Sequence, residues 1–96
     1  MQLKIHQSYR NVVSLCDSDI LGKKFEEGKF QLDVRENFYK DKEVSEEEAV
    51  EILIRQAMED STFNIVGPQA IEAAKKAGIL SGEPSAIAGI PFLLIL

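Results

Sequence analysis

The residues Asn64-Ile65-Val66-Gly67-Pro68-Gln69-Ala70 carry an apolar run through a Gly-Pro corner into alanine-rich sequence. Glycine followed by proline at the first helical position is a favoured way to begin a helix. At such a start the N–H groups of Gln69 and Ala70 lack intrahelical partners, and the helix dipole adds partial positive charge, so an anion could sit there. Gly67 would admit close approach, and Asn64 or Gln69 would add a polar contact. Neither GxxxxGK[ST] nor GxGxxG occurs, so the corner is not a phosphate loop of a known kind. The plain reading, a helix start and nothing more, competes with the chemical one.

A second candidate is Cys16, followed by the cap-forming residues Asp17, Ser18 and Asp19. A thiol before a helix start can be acidified, but the two carboxylates oppose a thiolate. The two helix starts share a site only if their strands run parallel and adjacent. A phosphate or nucleotide would then meet Asn64, Gly67, Gln69, Ala70, Cys16 and Asp17.

Lys23, Lys24 and Lys29, with Arg10 and Arg35, form a third candidate, and Tyr9 and Tyr39 offer rings for base stacking. Glu26, Glu27, Asp33 and Glu36 are interleaved, which reads as a mixed surface. His6 alternates with polar neighbours and reads as a surface residue. No His, Cys, Asp or Glu spacing matches a metal site, no cofactor is implied, and no catalytic residue is assigned.

These residues must be positioned by elements that the periodicity reveals. Leu3, Ile5 and Tyr9 alternate with polar residues as in a half-buried strand, and Asn11 to Cys16 is a second strand pairing with it as a hairpin. Asp17 to Phe25 reads as a short helix with Gly28 as its stop. Phe30, Leu32 and Val34 then share one side of a third strand. Ser45 and Glu48 form a capping box opening a longer helix. Its Ala49, Leu53 and Ala57 lie along one stripe, with Val50, Ile54 and Met58 beside them. Phe63 to Val66 is a strand, and Pro68 begins the helix whose Gly78 and Ile79 fit a Schellman ending. Residues 81–86 read as a loop. Ile87 to Leu96 is a last strand interrupted by Gly89 and Pro91. The expected order is ββαβαβαβ, a two-layer α+β sandwich. Its sheet is mostly antiparallel or mixed, of about five strands, with two main helices and one short one.

Two stretches resemble an archaeal family of uncharacterised proteins, domain of unknown function 424. The first, Cys16 to Tyr39, shows Cys-Asp, then Leu-Gly-Lys, a glycine turn and a strand ending in Phe-Tyr. The second is Asn64 to Leu80, with Asn-x-Val-Gly entering a helix that closes on glycine. With Gly89-x-Pro91 the likeness spans nearly the whole chain. It implies a small α/β domain from an archaeal cytoplasm and brings no activity or catalytic residue with it.

Composition bounds the function. Ninety-six residues make one domain, 1–96, and the net charge of −5 opposes broad nucleic-acid binding. One cysteine excludes an internal disulfide and suits a reducing compartment. The apolar stretch from Ala86 to Leu96 falls short of the about 20 residues that span a membrane. The expectation is a cytoplasmic, non-catalytic interaction module, associated with ribonucleoprotein or translation machinery. A protein partner or a twin subunit would cover the C-terminal apolar segment, with RNA as a further partner at the lysines. The alternative is a binder, or enzyme, for a small anionic ligand at Gly67, Cys16 and Asp17.

Overall fold

A computed structural model of residues 1–96 shows a mixed α+β fold built on a six-stranded sheet. The strands in chain order are β1 (Gln2–His6), β2 (Val12–Cys16), β3 (Lys24–Glu27), β4 (Phe30–Asp33), β5 (Lys42–Glu43), β6 (Thr62–Val66), β7 (Ser85–Ile87) and β8 (Ile90–Ile95). The helices are α1 (Glu36–Tyr39), α2 (Glu46–Met58) and α3 (Pro68–Lys76). Spatial order in the main sheet is β5-β1-β2-β6-β8-β7, and β3 and β4 form a separate two-stranded hairpin. Only β2 and β6 are parallel, with Val13 opposite Phe63 and Cys16 opposite Val66. All the other pairs are antiparallel.

Period-two alternation decides what each face of the sheet touches. Leu3, Val13, Leu15, Phe63 and Ile65 point to one face, where they pack on Ala49 and Leu53 of α2 and on Ala70, Ile71, Ala73 and Ala74 of α3. The small side chains of α3 let that helix lie close to its neighbours. On the opposite face Cys16 and Val66 meet Ile20, Val34 and Tyr39 in a smaller core under the hairpin and α1. Two layers are therefore joined by a partial third.

Local sequence explains how the two main helices end. Ser45 Oγ accepts from the Glu48 N–H at 3.2 Å and Glu48 Oε1 accepts from the Ser45 N–H at 3.4 Å, a complete capping box. At the end of α3 the Ile79 and Gly78 N–H groups donate to the Ala74 and Lys75 carbonyls, both at 3.0 Å, with Gly78 at φ +79°. That is the Schellman closure expected from Gly78.

Other expectations are corrected. Residues 18–20 form only a single 3-10 turn. Lys24–Glu27 is a strand that pairs with Phe30–Asp33 across Gly28, which turns a hairpin and does not stop a helix. The short helix lies instead at Glu36–Tyr39, and β5 and β7 are additional strands. Gly89 is no interruption: with Ala88 it makes the two-residue turn between β7 and β8, both at positive φ. In α2 the buried positions are Ala49, Leu53 and Gln56, while Ala57, Ile54 and Met58 are exposed. Gln56 is admitted to the interior because Ser61 Oγ donates to its Oε1 at 2.7 Å. Tyr9 lies beyond β1 in an exposed loop.

Removing the Ser45 hydroxyl leaves the Glu48 donor without its cap. Ser45→Ala is expected to lower unfolding free energy by about 1 kcal/mol, read from urea denaturation.

Candidate functional site

The parallel pairing of β2 with β6 sets the ends of both strands side by side, and both helix-start motifs follow directly. The Asp17 N–H donates to the Val66 carbonyl at 3.2 Å, extending the ladder by one residue. From there the Asp17 side chain reaches the start of α3. Its Oδ1 accepts from the Ala70 N–H at 2.8 Å and its Oδ2 from the Gln69 N–H at 3.1 Å. Asp17 is only 2% exposed. The anion at this helix start is thus the chain's own carboxylate, held by two backbone donors and the helix dipole.

Gly67 is required there twice over. Its backbone lies at φ +107° and ψ 154°, a region that is essentially glycine-only. A Cβ at this position would stand 2.5 Å from the Asp17 carboxyl carbon. The Gly67 N–H donates to the Pro91 carbonyl at 2.8 Å, which locks β8 beside the same corner. Cys16, Asp17, Gly67, Gln69 and Ala70 are brought together, but the donors at Gln69 and Ala70 are already taken. Cys16 is fully buried, and burial, reinforced by the neighbouring Asp17 charge, pushes its thiol up to about 12. It stays protonated and closed to solvent at neutral pH.

Asn64 does not join this group. Strand alternation turns it to the opposite face of the sheet, away from the residues packed on α3. There it lines an open cleft of about 530 Å³, with His6 beside it. The overlying layer contributes Asp33, Arg35, Asn37, Phe38 and Tyr39. This cleft exists because α1 is pinned to the sheet by side chains that alternate onto its second face. Lys4 Nζ donates to the Asn37 carbonyl at 2.8 Å, and Ser14 Oγ donates to the Phe38 carbonyl at 2.7 Å. His6 Nε2 lies 2.8 Å from the same Phe38 oxygen, which makes Nε2 the protonated nitrogen, and its ring stacks on Phe38 with centroids 4.5 Å apart. His6 is therefore half-buried and structural on one side, in contrast to the surface residue expected.

The lysine candidates lie in or beside the β3–β4 hairpin. Lys23, Lys24 and Lys29 are exposed, with Lys24 Nζ 4.0 Å from Glu26 and Lys29 in the hairpin turn. Tyr39 cannot serve as a stacking platform beside them: it is 6% exposed, and burial, with the nearby Cys16 adding to it, pushes its hydroxyl up to about 12.

With this geometry in place, the comparison with known proteins is direct. Residues 5–90 match the family described as "Protein of unknown function (DUF424)". The chain belongs to this family. Its fold is similar to the crystal structure of an uncharacterized conserved protein from Methanopyrus kandleri, with a TM-score of 0.88 and 25% identity. That likeness covers 98% of this chain and 88% of the other. The archaeal source of this neighbour agrees with the archaeal family that the motifs around Cys16 and Gly67 imply. No curated protein matches the sequence.

Two outcomes follow from the Asp17 corner. Asp17→Ala leaves the buried Ala70 N–H without an acceptor and is expected to cost roughly 1–3 kcal/mol in urea denaturation. The raised thiol sets the sign of an alkaline effect. Unfolded Cys16 loses its proton near its ordinary value of 9.0, and the folded thiol keeps it to about 12. Its stabilising contribution is complete below the lower value and is lost as pH rises through the upper one. Tyr39 acts in the same direction from its ordinary value of 10.0. Denaturation midpoints measured across this range should fall less steeply in Cys16→Ala than in the parent.

Proposed function

We propose that this chain is a non-catalytic interaction module that holds a protein partner, or a second copy of itself, along its C-terminal strand. Its setting in this reading is the archaeal cytoplasm, within ribonucleoprotein or translation machinery. The observation that carries the reading is the state of β8. This strand has no charged side chain, and its Leu94 and the following Leu96 are 54% and 82% exposed. Phe92 is the last residue of β8 that β7 pairs, through Ser85. The Gly67–Pro91 hydrogen bond sets the alternation on the β6 side, so the Leu94 N–H and carbonyl turn toward the side that β7 leaves unpaired. An apolar, uncharged strand with open backbone groups is a template for another chain.

Other features support the binding reading over a chemical one. The single thiol is buried and its proton firmly held. No three His, Cys, Asp or Glu side chains gather closely enough to hold a metal ion. The Asp17 carboxylate stands where an anionic ligand of α3 would bind. Exposed Lys23, Lys24 and Lys29 on the hairpin side of the molecule support the ribonucleoprotein setting.

The test is affinity purification of the tagged chain from native extract, with and without nuclease, beside the Leu94→Lys variant. Protein partners should survive nuclease and fall by at least about tenfold with Leu94→Lys, as expected when an interface anchor is removed. Light scattering reports self-association in the same preparations. A strictly monomeric chain that retains nothing from extract overturns the reading.

A further inference from the structure

The cleft between α1 and the sheet is a separate feature from the β8 edge, and its lining has chemistry of its own. Several of its polar groups have no partner within the chain. The side-chain amides of Asn37 and Asn64 make no internal hydrogen bond, and neither does the Tyr39 hydroxyl, which reaches solvent although the rest of the residue is buried. Arg35 donates only its Nε, to Asp33 Oδ2 at 3.2 Å, so its two terminal nitrogens are free. Beside these groups stands the stacked pair of His6 and Phe38. Apart from the rings of Phe38 and Tyr39 the lining is polar, and no aliphatic side chain takes part.

We propose that this cleft binds one nucleotide unit, its base read by Asn37 and Asn64 and its phosphate held by Arg35. An amide presents a donor and an acceptor side by side, the pattern that pairs bidentately with a base edge. The free end of a guanidinium matches two oxygens of a phosphate in the same planar way. A flat ring pair at the wall suits a base, which stacks on aromatic side chains whatever its identity. A peptide is the poorer occupant, because its apolar side chains would find no aliphatic surface. The volume of about 530 Å³ lies within the range of small-ligand sites.

Charge limits the ligand to a single unit. Asp33 offsets part of the Arg35 charge, and the net charge of −5 works against a long phosphate track. The same chemistry could come from a free nucleoside monophosphate or from one residue of a single-stranded RNA.

NMR titration of the isotopically labelled chain distinguishes these cases, using the four nucleoside monophosphates, a short single-stranded RNA and inorganic phosphate as probes. The Asn37 and Asn64 side-chain amide signals should shift, by amounts that depend on the base. Arg35→Ala should weaken binding about tenfold or more, and Asn64→Ala should erase base preference. Asn37→Ala, on the exposed helix, gives the same readout if Asn64→Ala disturbs folding by circular dichroism. Tighter binding of RNA than of monophosphate identifies RNA as the source, and the reverse order identifies a free nucleotide. Absent shifts at both amides, equal shifts with inorganic phosphate alone, or binding unchanged in all three variants overturns the proposal.

Discussion

A buried carboxylate with two backbone donors holds the centre of this molecule. Asp17 leaves the end of β2 and closes on the first N–H groups of α3 at 2.8 and 3.1 Å. Taking a charge out of water is costly unless it is fully hydrogen-bonded, and here the compensation comes from charge-assisted bonds and the dipole of a nine-residue helix. The arrangement works only if β2 and β6 run in the same direction, because only then do their ends meet. One parallel pair in an otherwise antiparallel sheet is the geometric condition for the cap. Gly67 is the steric condition, since any side chain there would occupy the space of the carboxylate.

Because that corner is internally satisfied, the sheet's two faces divide the remaining work. The face toward α2 and α3 is filled with aliphatic residues and small alanines, and it leaves no room for a ligand. The other face carries Lys4, His6, Ser14 and Asn64. Three of these spend their polar atoms on the carbonyls of α1, which fixes a four-residue helix far too short to be stable alone. Asn64 is left over beside them. The cleft is thus a by-product of how α1 is attached: hydrogen bonds hold it at the sheet without covering the sheet.

Much of the fold is legible in the chain where the signal is local. The Ser45–Glu48 capping box, the Gly78–Ile79 closure and the alternation of β1, β2 and β6 each need only a few neighbouring residues. The stretch from Gly22 to Glu27 is different. Its residues suit a helix or a strand about equally, and the hairpin forms because Phe25 and Leu32 can pack beneath it against Val34 and Tyr39. In α2 the apolar residues Ala57, Ile54 and Met58 promise a wider buried face than the packing uses, while Gln56, bonded to Ser61, takes an interior place. Asp17 and its donors are separated by more than fifty positions, so its cap type is readable and its helix is not. Asn64 is an instructive case: it alternates with Phe63 and Ile65, and that alone turns it to the face of the sheet away from α3.

The position of β8 has a consequence for how the molecule is made. Inside the sheet it lies between β6 and β7, yet it is the most C-terminal of the strands. During synthesis the chain leaves the ribosome N-terminus first, so β6 is available before the strand that covers its outer side. Until β8 arrives, β6 presents an open, apolar edge, and Gly67 lacks its bond to Pro91. The long loop between β2 and β6 must also close before their parallel contacts form, which slows folding relative to the hairpins. The last hairpin to be made, β7 with β8, therefore supplies both the outer partner of β6 and the acceptor of the Gly67 N–H.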